Sequence, residues 1–166
     1  MKPNLSYCGA EVHSHDRDHF LATLFIPVQH REAFFCLYAL NLELARIHTL
    51  VSEEMIGHIR YAWWQEAIEE IYSGGKVKGQ PVLQALAEVR LPQELVMNLV
   101  TSYREHFPLM PPDVEAMLER MTLELIQALC PEAERGWRKA WAVIAGHRER
   151  YGKGWNGWLV VKLLIT

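Results

Sequence analysis

The segment from Gln29 to about Leu50 constrains the fold most, because apolar residues occupy nearly every side of the helix that it predicts. Its apolar positions are Phe34, Phe35, Leu37, Tyr38, Leu40, Leu42, Leu44, Ala45 and Ile47. A helix that is hydrophobic all round is normally covered by neighbouring elements. We therefore expect this helix at the centre of a bundle, with other helices around it.

The remaining segments also repeat with a helical period, and Pro and Gly residues separate them. Helices are predicted over residues 16–25, 52–72, 81–89, 92–107, 113–129 and 134–151. An alternating strand pattern with hairpin turns is missing from the sequence. We therefore predict an all-α helical bundle, with residues 1–15 as a flexible N-terminal lead and residues 16–166 as a single helical domain.

Composition and charge exclude several classes of protein. Of the 166 residues, 50% are hydrophobic and 22% are charged, which is typical of globular domains. The formal net charge of −3 supplies no basic surface for nucleic acid. The longest apolar run, residues 158–165, is too short to cross a bilayer, and residues 1–10 lack the apolar core of a secretory signal. We therefore expect a cytoplasmic protein with no nucleic-acid partner.

The cysteines suggest a reducing compartment. Cys8, Cys36 and Cys130 are odd in number and widely spaced, and the chain contains no Cys-x-x-Cys pair. This spacing argues against a disulfide framework and against a zinc site made of thiolates.

A histidine cluster near the N-terminus is the candidate metal site. His13, His15 and His19 form a His-x-His-x-x-x-His pattern beside Asp16 and Asp18. Imidazoles and carboxylates together suit zinc or nickel. The alternative is that these residues belong to a solvated lead, where no rigid surroundings orient the ligands.

Four polar residues stand out on the apolar central helix: Asn41, Glu43, Arg46 and His48. Glu43 and Arg46 are three residues apart and can pair along one side of the helix. Buried polar groups must be hydrogen-bonded. The four residues therefore form either a satisfied structural network or a binding cluster.

Three arginines, Arg31, Arg60 and Arg104, are candidates for a diphosphate clamp, because guanidinium groups match phosphate geometry. Their spacing alone is not specific for such a site. Trp63 and Trp64 are expected to fill core and groove positions, since no basic surface accompanies them as it would in a base-stacking platform.

Residues 18–46 carry a more specific resemblance. A short helix, Pro27, Arg31 four positions later and a Leu-Tyr-Ala helix resemble the opening of the squalene/phytoene synthase family. The similarity continues through Val51-Ser52-Glu53, Ile59-Arg60, Trp63-Trp64, Ile71-Tyr72 and residues 81–86. It covers about residues 16–107 and implies a helical bundle of the isoprenoid synthase type, here in an apparently shortened version.

The resemblance also shows a departure from the active family members. These enzymes join two prenyl diphosphates at magnesium ions held by two aspartate-rich helices. The resemblance places Ala45, Arg46 and Thr49 at the first set of aspartates, where a guanidinium would repel the metal. Asp113 is the sole aspartate after residue 18, and its position at a predicted helix start suits a cap, so the second set is absent.

The Asn41-x-Glu43-Leu44-Ala45 pattern resembles a divergent, non-synthase branch whose mitochondrial relatives assist the assembly of respiratory complex I. The resemblance therefore implies a non-catalytic protein that binds a prenyl lipid or a protein partner and needs no cofactor. The expected ligand-binding residues are Arg31, Tyr38, Asn41, Arg46, Arg60 and Trp64.

The alternative is an active prenyl transferase in which Glu43, Glu53 and Glu54 hold Mg²⁺ in place of the aspartates. It requires Glu43 to face a cavity, with one of the other two carboxylates within reach of the same ion. A third interpretation is an interaction domain without a ligand. The packing of the bundle interior distinguishes these cases.

The apolar segment 155–165 near the C-terminus permits two predictions. Trp155 and Trp158, with Lys153 and Lys162, suit a peripheral contact with a membrane surface. We favour a segment that covers the bundle or forms a dimer contact, because its glycines weaken a helix and two lysines attract anionic lipid only weakly.

Overall fold

The computed structural model describes residues 5–152, and this part of the chain consists of α-helices and connecting turns without a β-strand. The helices are α1 (Tyr7–His15), α2 (Arg17–Thr23), α3 (Arg31–Leu50), α4 (Glu54–Tyr72), α5 (Pro81–Val89), α6 (Gln93–His106), α7 (Val114–Leu129) and α8 (Glu134–Tyr151). The predicted all-α fold is confirmed. The segment 155–165, with its predicted membrane or dimer contact, lies outside the described residues.

Helix α3 is the central helix, as its all-round apolar composition predicted. It packs against α1, α2, α4, α5, α6 and α7. Its residues from 33 to 41 are buried without interruption, and Phe34, Leu37 and Leu40 are fully buried. Each of these three side chains contributes about 1.5–3 kcal/mol through burial.

Local sequence signals set several helix boundaries. The Asp16 carboxylate accepts a hydrogen bond from the His19 backbone N–H at 3.3 Å and caps α2. The Gln80 side chain caps α5 in the same way, at 2.6 Å from the Val82 backbone nitrogen. The helix predicted over residues 52–72 begins two residues later than expected, at Glu54, so Ser52 is not its N-cap.

Residues 7–15 differ from the predicted flexible lead. They form α1, which packs on α3, and Cys8 and Val12 are fully buried. The Ser6 hydroxyl caps the helix by accepting a hydrogen bond from the Gly9 N–H at 3.0 Å. Cys8 and Val12 lie one helical turn apart, so a short and otherwise polar segment has an apolar edge that can pack.

One end of the bundle brings together the ends of α3 and α6 and the start of α4. The ring of Phe107, just after α6, lies 6.3 Å from the ring of His48 and 5.4 Å from that of His58. His48 near the end of α3 therefore shares this end with the first turns of α4. Among the described helices, none is both long enough and apolar enough to cross a membrane.

Candidate functional site

Tyr38 and Asn41, two of the expected ligand-binding residues, lie inside the bundle. The Tyr38 hydroxyl is 2.7 Å from Thr122 Oγ1. Thr122 donates its own hydrogen to the Leu118 carbonyl at 2.7 Å, so Tyr38 is the donor to Thr122. Asn41 Oδ1 accepts a hydrogen bond of 2.9 Å from the Tyr103 hydroxyl. Both side chains thus have structural partners on α6 and α7.

These side chains fill the space between α3, α6 and α7. Tyr38 and Tyr103 are 0% and 1% exposed, and burial raises the pKa of both phenols above the ordinary value of 10.0. Leu99 on α6 and Ile126 on α7 are also fully buried. The bundle interior at this level therefore consists of packed side chains.

Glu43 and Arg46 pair on α3, as their spacing predicted, and α1 adds a second carboxylate. Arg46 Nη1 donates to Glu43 Oε1, and Arg46 Nη2 donates to Glu11 Oε2 at 2.5 Å. The hydrogen bond to Glu11 and the two negative charges raise the pKa of Arg46, against the opposing effect of partial burial. In this Glu11–Arg46–Glu43 triad, the Arg46 guanidinium is hydrogen-bonded to the Glu43 carboxylate, which the enzymatic alternative requires for metal binding.

The residues at the expected magnesium positions do not fit a divalent cation. Ala45 offers no ligand atom, and Arg46 carries a positive charge. Thr49 is exposed, and its hydroxyl donates to the Arg46 carbonyl at 3.1 Å. Magnesium requires oxygen ligands of negative or neutral charge around one point, and these three positions do not supply them.

Glu53 and Glu54, the other carboxylates of the enzymatic alternative, are exposed around the start of α4. Glu54 Oε1 lies 3.7 Å from His58 Nε2. Within residues 5–152, no three His, Cys, Asp or Glu side chains come together in a way that could hold a metal ion. The structure therefore does not assemble the displaced carboxylate set that the alternative requires.

The three histidines of the candidate metal site point to different surroundings. His19 is 2% exposed and stacks 4.5 Å from the Trp141 ring. His13 lies at the surface with its ring 4.7 Å from that of Phe20, and His15 is also exposed. The spacing in the sequence does not bring the imidazoles together, because α1 ends at His15 and α2 turns His19 into the core.

His19 instead has a structural role at the start of α2. Its Nδ1 atom lies 2.8 Å from Asp16 Oδ2, and its ring centroid is 4.3 Å from that of Tyr38. Burial raises the pKa of Asp16, but the interactions with His19 outweigh burial and hold this pKa below its ordinary value of 3.8. The pair therefore fixes the α1–α2 corner against α3.

The three arginines of the predicted diphosphate clamp are separated. Arg31 donates from Nε to the Ile26 carbonyl and from Nη2 to the Leu24 carbonyl, each at 2.8 Å. It therefore stabilises the turn between α2 and α3. Arg104 donates from Nη1 to Gln65 Oε1 at 2.5 Å. Within residues 5–152, the Arg60 side chain forms neither a hydrogen bond nor an ion pair.

The structure does bring three of the expected ligand-binding residues, Arg46, Arg60 and Trp64, into one surface cleft of about 340 Å³. The cleft lies between α3 and α4, and its walls include Ile47, Leu50, Trp63 and Trp64. The indole rings of Trp63 and Trp64 are 5.5 Å apart and nearly perpendicular. This α3–α4 cleft combines an unpaired guanidinium with apolar and aromatic walls, which is a typical composition for a binding surface.

A polar cluster where α2, α7 and α8 meet was not expected from the sequence. Arg148 Nη1 lies 3.6 Å from Asp18 Oδ2 and 3.2 Å from Glu115 Oε2. His19 Nε2 faces the same glutamate at 4.0 Å. Asp18, Glu115 and Arg148 are far apart in the chain, so local spacing carries no signal for their contact.

The sequence profile described as squalene/phytoene synthase matches residues 12–122, which is more than half of the chain. The chain belongs to this family. The matched region extends from α1 into α7, and it includes the central helix and both walls of the α3–α4 cleft.

Curated proteins similar to this chain include several named NADH dehydrogenase (ubiquinone) complex I, assembly factor 6, or its homolog. The protein from Bos taurus is 37% identical over 67 residues, which cover 40% of this chain and 20% of the relative. The Drosophila melanogaster homologue is 30% identical over 111 residues, covering 61% and 33%, and that of Dictyostelium discoideum is 36% identical over 77 residues, covering 45% and 21%. The chain thus spans about a third or less of the length of these relatives. No solved structure matches the chain significantly.

Proposed function

We propose that this protein is a non-catalytic member of the squalene/phytoene synthase family that binds a protein partner during assembly of a respiratory complex. The Glu11–Arg46–Glu43 triad carries the proposal. A paired guanidinium at the position where the resemblance expects a magnesium-binding carboxylate supports a role without metal chemistry. The names of the relatives, which are complex I assembly factors, support the choice of partner.

The α3–α4 cleft is the surface on which we expect a partner to bind. Its unpaired Arg60 and its half-exposed Trp63 belong to the residue types that dominate binding energy at protein interfaces. Tyr38 and Asn41, by contrast, are committed to hydrogen bonds inside the bundle. A binding role uses the exterior of the fold and leaves its packed interior intact.

Turnover of a prenyl diphosphate separates the proposal from the enzymatic alternative. Purified protein is incubated with geranylgeranyl diphosphate and Mg²⁺, and released diphosphate is measured against a blank without protein. We expect no release above the blank. Metal-dependent release that disappears in Glu43→Gln would contradict the proposal, because only the enzymatic alternative assigns that carboxylate to metal binding.

The assembly role is tested in the source cells. Deletion of the gene should lower the amount of intact complex I on native gels, and the wild-type chain should restore it. Glu43→Gln should restore it as well, since binding to a partner does not require a metal-binding carboxylate at this position. A deletion strain with normal complex I would contradict the proposed role.

A further inference from the structure

Cys8 and Cys36 are two buried thiols that the proposed function does not use. Cys8 lies on α1 and Cys36 lies on α3, 28 positions apart in the chain. Both side chains are fully buried, and both are free thiols in this structure. Helix α1 packs on α3, and the two thiols form a hydrogen bond with each other. Local spacing carries no signal for this thiol pair, because helix packing creates the contact.

The helices α1 and α3 approach each other closely around the thiol pair. Gly9, next to Cys8, has no side chain, and a Cβ atom there would lie 3.3 Å from Phe35 Cδ2. Ala33, one turn before Cys36, is small and buried as well. Small side chains at a helix contact permit a short distance between the helix axes. A disulfide requires closely spaced backbones and cysteine side chains that face each other, and the thiol pair has both.

The surroundings of Cys36 keep its thiol protonated while α1 is packed on α3. The hydrogen bond with Cys8 and burial both raise the pKa of Cys36 well above its ordinary value of 9.0. Its Sγ atom also lies 4.0 Å from the Val82 carbonyl oxygen on α5. The thiolate, and not the thiol, is the nucleophile in disulfide chemistry. Oxidation of the thiol pair therefore requires α1 to move away from α3.

Helix α1 is suited to local opening. It has 9 residues, and its buried residues are Cys8, Gly9 and Val12. Units with few buried side chains open at a lower cost in free energy than the whole domain. Opening of α1 uncovers both thiols together, because each is covered by the contact between α1 and α3.

We propose that Cys8 and Cys36 form a reversible disulfide that locks α1 onto α3. The oxidant is a small-molecule disulfide of the glutathione type. When α1 opens, the Cys8 thiolate attacks one sulfur of the oxidant, forms a mixed disulfide and releases one thiolate. As α1 returns, the Cys36 thiolate attacks Cys8 Sγ and releases the second thiolate. The chain gives up two electrons and two protons, and the oxidant becomes two thiols.

The disulfide also holds the Glu11–Arg46–Glu43 triad together. Glu11 lies one turn beyond Cys8 on α1, and its carboxylate is 2.5 Å from Arg46 Nη2. Arg46 lines the α3–α4 cleft. In the oxidised protein Arg46 therefore stays paired with α1, whereas in the reduced protein each opening of α1 separates it from Glu11. The lock itself does not depend on what binds in the cleft.

Oxidation of the intact protein in glutathione buffers tests the bond. The protein is equilibrated at a series of ratios of reduced to oxidised glutathione, quenched with acid, unfolded and alkylated, and non-reducing peptide mapping by mass spectrometry locates the disulfide. We expect a cross-link between Cys8 and Cys36 when oxidised glutathione is in excess, and free thiols when reduced glutathione is in excess. Cys130→Ala is the matched control and should leave the cross-link unchanged. Free thiols in every buffer, a cross-link to Cys130, or a glutathione adduct on Cys8 that never closes would overturn the proposal.

Hydrogen exchange and thermal unfolding test the lock. The amides of α1 should exchange at least about tenfold more slowly in the oxidised protein, because the disulfide suppresses opening of this helix. The midpoint of thermal unfolding should rise by about 5–10 °C, since the bond restricts the unfolded chain. Cys8→Ala treated with the same oxidant should show neither change. Equal exchange of α1 in the oxidised and reduced protein, or the same slowing in Cys8→Ala, would overturn the lock. These measurements use the protein alone, so they are independent of the proposed assembly role.

Discussion

Thr122 connects two hydrogen bonds in the core, and it offers a sharp test of packing at the residue scale. It accepts from Tyr38 and donates to the Leu118 carbonyl. Thr122→Val removes the acceptor and leaves the buried Tyr38 hydroxyl without a partner. We expect the free energy of unfolding to fall by about 1–3 kcal/mol, measured by urea denaturation.

Tyr38→Phe is the complementary variant for this prediction. It removes the donor, while Thr122 keeps its bond to Leu118, so a smaller loss of about 1 kcal/mol is expected. The combined Tyr38→Phe and Thr122→Val variant leaves no unpaired donor and should be no less stable than Thr122→Val alone. Strict additivity of the two losses would contradict a hydrogen bond between Tyr38 and Thr122.

Residue type and spacing were sufficient to predict one contact of the candidate site. Glu43 and Arg46 were expected to pair because they lie three apart on a helix, and they do so. Arg31 shows the limit of this reasoning. Its guanidinium suits a phosphate, but it also suits the two backbone carbonyls of Leu24 and Ile26 that the turn before α3 leaves within reach.

At the scale of single helices, Gly57 on α4 marks a close approach to Phe107. A Cβ atom at residue 57 would lie 2.2 Å from Phe107 Cζ, and the ring is largely buried between neighbouring side chains. Gly57→Ala should therefore lower the free energy of unfolding by about 1–3 kcal/mol, although alanine is the better helix former. Thermal or denaturant unfolding measures the effect.

Gly136 on α8 provides the matched control for this prediction. A Cβ atom there would have no neighbour within 4 Å. Gly136→Ala should therefore raise the free energy of unfolding by about 0.5–1 kcal/mol through helix propensity alone. Equal effects of the two substitutions would show that contact with Phe107 does not matter.

The ends of the helices follow local signals where a single residue is sufficient to stop or start the helix. Pro81 occupies the first turn of α5, and Ser73 with Gly74 ends α4, where Gly74 adopts a φ of 81°. Asp113 is an exception. It was expected to cap α7, but it takes a left-handed conformation with a φ of 52° and forms no capping hydrogen bond. Aspartate is common both at helix N-caps and in the left-handed conformation, and the path of the preceding loop selects the left-handed one here.

At the scale of the whole molecule, α1 covers one side of the central helix. Removal of residues 1–15 would expose the surface of α3 on which Cys8 and Val12 pack, and would remove Glu11 from Arg46. We expect this deletion to cost about 3–6 kcal/mol of folding free energy, enough to unfold a marginally stable domain. Circular dichroism during thermal unfolding measures the loss.

Glu11→Gln separates packing from charge in this experiment. It keeps α1 in place and weakens the partly exposed ion pair with Arg46 and the 3.7 Å contact with His15, so its cost should stay within about 1 kcal/mol. If the deletion costs as little as Glu11→Gln, then α1 is not part of the folded core.

The amino-acid sequence by itself determined the all-α class, the order of the helices from α2 onwards and the central place of α3. These features depend on hydrophobic periodicity and on Pro and Gly residues, which act within one or two helical turns. It also supplies Ala45, Arg46 and Thr49 at the positions where the resemblance expects magnesium-binding aspartates, and this prediction depends on residue identity alone.

Only the tertiary structure decided which polar residues meet. Glu11 reaches Arg46 across 35 positions, and Tyr103 reaches Asn41 across 62. The surroundings of such residues depend on how the helices pack, and no local pattern encodes them. Helix packing also explains why the histidines do not come together. The turn between α1 and α2 places His19 in the core, while His13 remains at the surface. Interactions between residues close in the chain thus determined where the helices form, and packing between distant residues determined which side chains meet at the site.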